Sequence, residues 1–267
     1  MNDNEKQQAV APFRLGILMA TWGRPILTAH ALYHYAGIQH PKMELVKTVV
    51  WSKDDPTALP VVKGWDYVEA PNQPLGRKWN TGLRSLIAKN VDAVMIIGSD
   101  DFISWRYFGY IYDQLRMGAD VISVRDLYVY QPGDDYVAFC ESMVPGAGRT
   151  ISVAAVRLLK SRLWDDDATG YLDSSIMQRI RQVSTLRHYN MRDMGARGFA
   201  ILDVKTKDGP NMWSLVQIGP NRYALENEVG ARLNIRRVTK VPAAQFFRDH
   251  FPHIVKYKEL GAADPYA

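Results

Sequence analysis

The densest chemistry in the sequence is Ser99-Asp100-Asp101, placed directly after Ala93–Ile97, the most hydrophobic strand-like run in the chain. Two adjacent carboxylates at a strand end repel each other unless something cationic sits there. A hard divalent cation that shares its other positions with diphosphate oxygens suits such a pair. Helix capping by Ser99 or Asp101, ahead of a helix at Ser104, is the competing use. A second concentration of polar residues is the loop Pro71–Asn80, which sets Gly76, Arg77 and Lys78 at the start of a helix. Backbone N–H groups, the helix dipole and two cations together make an anion site, although the Gly-Lys-Ser/Thr spacing of a P-loop is absent. The third is Ala20-Thr21-Trp22-Gly23-Arg24-Pro25. Its small and polar residues leave room for a ligand, and Arg24 could contact a phosphate or a base; a simple turn into a helix is the alternative.

These residues need elements to hold them. Phe13–Ala20 reads as a strand, and Pro25 suits the first turn of the helix that follows. Strand-like runs at Val46–Trp51 and Asp66–Glu69 precede a helix at Trp79–Ala88. Ala93–Ile97 is a strand, Ser104–Met117 a helix and Asp120–Val124 a strand. This β-α-β-β-α-β-α-β order predicts an α/β fold with a mixed, mainly parallel sheet flanked by helices. Shorter strands over 127–155 read as antiparallel additions at the sheet's end. Leu172–Val183 is an amphipathic helix, followed by strands at Thr185–Asn190 and Phe199–Val204 and then a less regular tail. The expected organisation is a flexible tail, residues 1–12, and one domain, residues 13–267. In such sheets ligands bind at the carboxyl ends of the strands, where all three polar segments fall.

Composition bounds the function. Of 267 residues, 47% are apolar and 11% aromatic, which excludes a disordered or fibrous chain. Cys140 is the only cysteine, so no intrachain disulfide and no CxxC zinc site can form. No apolar run reaches the ~20 residues of a membrane span, and a polar N-terminus lacks a signal peptide's apolar stretch. No membrane insertion and a cytoplasmic, reducing location are expected. The net charge of +5 is unevenly spread: residues 178–258 hold 15 Lys/Arg against 6 Asp/Glu, a balance of +9, leaving −4 elsewhere. A basic C-terminal third suggests that an anion is handled there.

The order of strand, Thr-x-x-Arg-Pro turn, Asn-x-x-Leu-Gly-x-x-x-Asn loop, helix, apolar strand and Asp-Asp resembles the GT-A nucleotide-sugar glycosyltransferases of the family-2 type, over roughly residues 13–190. The resemblance implies a Rossmann-like GT-A fold and transfer of a sugar, from a UDP-sugar foremost, to an acceptor hydroxyl. It also implies Mn²⁺ or Mg²⁺ held against the diphosphate by a D-x-D element. Asp100 matches the second carboxylate of that element and Asp101 follows it, while Gly98 stands where the first carboxylate usually is. Thr21 and Arg24 would lie by the nucleotide, and Arg77, Lys78 and Asn80 near the base or diphosphate. In inverting members a carboxylate at the start of a later helix acts as general base. Asp173 matches that position better than the run Asp165-Asp166-Asp167; a favourable charge on a helix N-terminus is its other reading.

His188 could add a metal or diphosphate ligand if its strand returns toward the site, or be a structural histidine. The basic third exceeds what one diphosphate needs, so a polyanionic acceptor such as DNA becomes a candidate. Soluble sugar transferases that act on modified bases, as some bacteriophages encode, would fit. Two rivals stand beside this reading: a nucleotidyltransferase acting on a sugar phosphate, and a non-catalytic nucleic-acid-binding protein. The first lacks a Gly-rich triphosphate loop, the second a helix-turn-helix or zinc-finger pattern.

Overall fold

A computed structural model gives the fold and describes residues 11–55, 57, 61–141, 145–206, 213–220, 222–227, 232–235 and 237–260. Most of the expected N-terminal tail, and Asn211, Met212, Asn221 and Arg236 of the basic third, lie outside these residues. In chain order the first half reads β1 (Phe13–Ala20), α1 (Pro25–Gly37), β2 (Met43–Trp51), β3 (Trp65–Glu69), α2 (Leu75–Ile87), β4 (Ala93–Gly98), β5 (Asp101–Ile103) and α3 (Trp105–Arg116). Next come β6 (Val121–Val124), β7 (Asp126–Tyr130), β8 (Tyr136–Glu141), β9 (Thr150–Ser152), α4 (Val153–Leu158), α5 (Leu172–Arg181) and β10 (His188–Met191). The remainder is β11 (Ile201–Val204), β12 (Trp213–Gly219), β13 (Arg222–Asn227), β14 (Arg232–Ile235), β15 (Arg237–Pro242) and α6 (Ala243–His250).

Seven strands form the main sheet in the order β10-β6-β9-β4-β1-β2-β3, with β9 alone running against the others. Its central strands β1, β4 and β6 are apolar on both faces because helices cover both. Leu15, Ile17 and Met19 of β1 join the cluster under α1 and α3, whereas Leu18 joins Leu83, Leu86, Ile176 and Ile180 under α2 and α5. Helix α2 lies especially close: a Cβ at Gly82 would come within 2.1 Å of Val50.

Of the strands expected over 127–155 as additions to that sheet's end, β9 enters the main sheet antiparallel between β4 and β6, while β7 and β8 belong to a second sheet, β15-β8-β7-β11-β5. The tail is more regular than its sequence suggests. It contributes β15 to the second sheet, a three-stranded sheet β12-β13-β14, and α6. Leu225 and Ile235 pack with Leu127, Val129 and Cys140, which fixes the small sheet against the second one. Over 150–158 the chain is a short strand followed by α4, whose first turn is capped by the Ser152 hydroxyl accepting from Ala155 N at 3.1 Å. Among the described residues no helix is long and apolar enough to cross a membrane.

The C-terminal segment reaches back to α1 through a histidine pair. His34, 5% exposed, donates Nε2–H to the Ile103 carbonyl at 2.9 Å. Its Nδ1 must then accept from His253 Nε2, at 2.8 Å. Burial, and then the neighbouring His253, push the His34 pKa down to about 3. The unfolded chain therefore binds a proton below pH 6.5 that the folded chain refuses, and stability falls as pH drops through that window. The slope from this group is about 1.4 kcal/mol per pH unit below 6.5. Denaturant melts at pH 7.5 and pH 5 are expected to differ by about 2 kcal/mol more in the wild type than in a His34→Phe variant.

Candidate active site

β4 ends at Gly98, and the chain turns at once into β5, so Asp100 and Asp101 sit at the carboxyl edge of the main sheet. A third carboxylate arrives from far along the chain. Asp203 of β11 lies opposite Asp101 in the antiparallel β11–β5 pair, and Val204 N donates to the Asp100 carbonyl at 2.9 Å. One oxygen from each of Asp100, Asp101 and Asp203 lies within 4.8 Å of the others, a spacing that could hold a metal ion. Two cations share the site. Arg24 Nη1 donates to Asp100 Oδ2 at 2.7 Å, and Lys205 Nζ sits 2.7 Å from Asp203 Oδ2 and 3.8 Å from Asp100 Oδ2.

Electrostatics separates the three acids. Burial alone would raise the Asp100 carboxyl, but Arg24 and Lys205 outweigh it and hold the group below the usual carboxylate range. Burial, then Asp100 and Asp203, push Asp101 well above that range. Asp203 is also raised, by burial and Asp100 against the pull of Lys205. The arrangement thus favours the ionised form of Asp100 and disfavours ionisation of Asp101 and Asp203.

The same geometry explains Gly98. A Cβ there would lie 2.7 Å from Asp100 Oδ1 and 2.8 Å from Asp101 Oδ2. A side chain at this position would require both carboxylates to shift; the third acid of the cluster comes from β11.

Beside this cluster, Thr21 follows β1 and is 4% exposed. Its carbonyl accepts from Lys78 Nζ at 2.6 Å, and Asn72 Oδ1 accepts from the same ammonium at 3.1 Å. Lys78 also lies over the Trp22 ring, 5.7 Å from its centroid. Helix α2 begins four residues earlier than expected, with Pro74 as its N-cap, so Lys78 stands one turn inside and is 1% exposed. Burial pushes its pKa down to about 8 against the opposing pull of Asp55 and Asp54. Asp55, in the loop after β2, accepts from Gly23 N at 2.9 Å and from the Thr57 hydroxyl at 2.6 Å. Trp22, Lys78 and Gly23 with Asp55 thus form a linked polar group that adjoins the acids through Arg24.

Arg77 and Asn80 face elsewhere. Arg77 is more than half exposed and pairs with Asp167 at 3.3 Å. The buried Asn80 amide donates to the Trp164 carbonyl and Asp166 Oδ1, each at 2.8 Å, and accepts from Leu163 N and Trp164 N. Its hydrogen bonds hold the 163–166 loop. That loop's acids are latched as well: Asp165 to Arg179 at 2.9 Å and Asp166 to Asn80.

Asp173 occupies the first turn of α5 with its side chain 58% exposed. Gly146 N donates to its Oδ2 at 3.1 Å, and Arg149 Nη1 lies 3.5 Å from its Oδ1. Residues 146–149 are themselves paired to β4: Ile96 N donates to the Arg149 carbonyl at 2.8 Å and Gly148 N to the Ile96 carbonyl at 2.9 Å. Asp173 is therefore tied to the same strand that ends in the acid cluster. His188 is apart from the cluster. It pairs in register with Val121, low on the sheet, and its Nε2 meets Ser123 Oγ at 3.1 Å. Burial, then Arg149, Arg181 and Arg125, hold its pKa down.

The structure thus joins Arg24, Asp100 and Asp101 directly, links Thr21 to Lys78, and hangs Asp173 from β4. Asp203, Lys205, Asp55 and Arg149 complete these groups without having stood out in the sequence. A trace was present for two of them: Asp203 and Lys205 flank Val204 at the end of an expected strand, so alternation puts both on one side.

No family model matches the chain, and no curated protein does. Solved structures do. The crystal structure of S. aureus TarS 1–349 aligns with a TM-score of 0.52 and 11% identity, over 72% of this chain and 60% of that one. The complex of TarS 1–349 with UDP gives 0.54 and 12% over the same shares. Its complex with UDP-GlcNAc gives 0.55 and 12%, over 75% and 60%. The present chain thus spans about three-fifths of the length of the TarS chain it matches. The fold is α/β with a mainly parallel sheet flanked by helices, like the TarS structures it aligns with.

Proposed function

We propose that the chain is a metal-dependent glycosyltransferase, transferring a sugar from a nucleoside-diphosphate donor, a UDP-sugar foremost, to an acceptor hydroxyl with inversion. The observation that carries this reading is that β4 holds two separate carboxylate stations at its carboxyl edge. One is the cluster Asp100, Asp101 and Asp203 with Arg24 and Lys205; the other is Asp173 on Gly146 and Arg149. The TarS complexes with UDP and UDP-GlcNAc on the same fold support a nucleotide-sugar donor.

A divalent ion suits the first station. Ion pairs use Oδ2 of Asp100 and Asp203, and Gly98 N–H uses Oδ2 of Asp101, which leaves Asp203 Oδ1 buried without a partner. Asp100, Asp101 and Asp203 would hold Mn²⁺ or Mg²⁺, which when bound neutralises charge on the departing diphosphate. Arg24 and Lys205 orient the acids and add positive charge on the leaving-group side. Trp22, Lys78 and Asp55, joined to Arg24 through Gly23, would stand on the nucleotide side of the donor. Asp173 takes the proton from the attacking hydroxyl, and a single displacement by that hydroxyl inverts the anomeric centre.

For the acceptor the reading extends to a polyanion such as DNA. Exposed Arg181, Arg187, Arg192 and Arg197 flank β10, the outer strand of the main sheet, and supply part of the +9 of residues 178–258.

The test is a thermal-shift series with UDP and UDP-GlcNAc, with and without Mn²⁺, alongside chromatography for released UDP. At a hundredfold excess over Kd, ligand adds about 2.7 kcal/mol, which for a chain of this size raises Tm by about 5–10 °C. No shift with either ligand in the presence of metal would refute the donor assignment. Duplex DNA is expected to bind with an affinity that falls steeply with salt; binding insensitive to ionic strength would remove the acceptor extension.

A further inference from the structure

Arg149 is the largest of the fully buried side chains, 1% exposed. A buried guanidinium is normally paired and hydrogen-bonded on all sides, yet this one is under-satisfied. Nη2 donates to the Pro145 carbonyl at 3.1 Å, Nη1 stands 3.5 Å from Asp173 Oδ1, and Nε is buried without a partner. Among the described residues its carboxylate partner is therefore a side chain that is more than half open to solvent.

Asp173 is correspondingly turned away from its own helix. Its hydrogen bonds run to Gly146 N and Arg149 rather than to the free N–H groups of the first turn of α5, where a dipole-compensating acid would point. The contact with Gly146 requires glycine, because a Cβ there would lie 2.0 Å from Asp173 Oδ1. Each carboxylate oxygen has two lone-pair directions, so these two bonds leave the exposed side of the group free to accept a proton.

We propose that Arg149 is the positioning residue for Asp173: from its anchorage on Ile96 it fixes the carboxylate's rotamer so that the open lone pairs face the acceptor hydroxyl. This rests on the glycosyltransferase reading above. With water as the acceptor, the water oxygen attacks the anomeric carbon, the bond from that carbon to the diphosphate oxygen breaks, Asp173 takes the proton, and UDP leaves.

The experiment measures UDP release from UDP-GlcNAc in water, and UDP affinity by calorimetry, for wild type, Arg149→Gln, Arg149→Lys, Asp173→Asn and the double variant Arg149→Gln/Asp173→Asn. A displaced base costs about 10- to 100-fold in turnover. Arg149→Gln is expected to lose that much in kcat, with UDP affinity within twofold of wild type. Arg149→Lys, which restores a cation, recovers part of it and also covers the case in which the glutamine variant fails to fold. The double variant is expected to be no slower than Asp173→Asn alone, because a residue that acts only through Asp173 has nothing left to position. A crystal structure of Arg149→Gln should show the carboxylate released from Gly146 N. An unchanged kcat, a further loss of the same factor in the double variant, or an unmoved carboxylate overturns the proposal. Failure of the wild type to bind UDP overturns the underlying reading instead.

Discussion

Asp100→Asn is expected to abolish sugar transfer and metal-dependent UDP binding together. Asp100 is the one acid of its cluster held ionised, and it is the partner of Arg24 at 2.7 Å and of Lys205 at 3.8 Å. Both side chains of the Arg24 pair are nearly buried, so breaking it leaves Arg24 uncompensated, a change that costs about 3–5 kcal/mol in comparable buried pairs. On the proposed function the substitution would also remove a ligand for the cation and disturb the groups that would face the leaving diphosphate. Losing one such electrostatic contact costs on the order of 10²–10³-fold in turnover, and here at least two are lost at once. Calorimetry of UDP with Mn²⁺ is the discriminating measurement. A variant that binds as tightly as wild type would show that the diphosphate lies elsewhere.

The second large effect belongs to Asp173→Asn. General-base catalysis is worth about 10²–10⁴-fold, and the amide cannot take the acceptor's proton. The side chain is 58% exposed, so the fold should tolerate the change. Turnover is expected to fall in that range while UDP affinity stays within twofold of wild type, a split that separates the two carboxylate stations. Parallel loss of both quantities would mark Asp173 as structural, and full turnover would end its role as base.

Much of the first half was legible because its strands are dense apolar runs between clear turns. β1, β4 and α5 stand within a few residues of where periodicity puts them. The C-terminal strands were harder to read. β12–β14 mix charges and glycine with weak alternation, and their identity depends on packing against β7 and β8, a contact that no local pattern announces. α2 starts early because its first turn rests on the 165–168 loop, where Gly76 N donates to the Ala168 carbonyl at 2.9 Å. The site divides along similar lines. Thr21, Arg24, Asp100 and Asp101 could be found from strand ends alone, whereas the position of Asp203 and Lys205 depends on β11 pairing with β5 across roughly a hundred residues. Asn80 misleads for a physical reason: a buried amide with four hydrogen bonds to one loop looks, in sequence, the same as one reserved for a ligand.

Gly98 draws attention to how the cluster is written in the chain. The three acids meet at one point in space while being written in two distant places, two of them side by side and the third on another strand. The one Asp-x-Asp spacing in the sequence, Asp165-Asp166-Asp167, lies in the loop held by Asn80 and Arg179, so a search for that spacing leads away from the cluster. The corner where β5, directly after β4, pairs with β11 gathers all three carboxylates, so their meeting is written in the strand pairing and not in any one stretch of sequence.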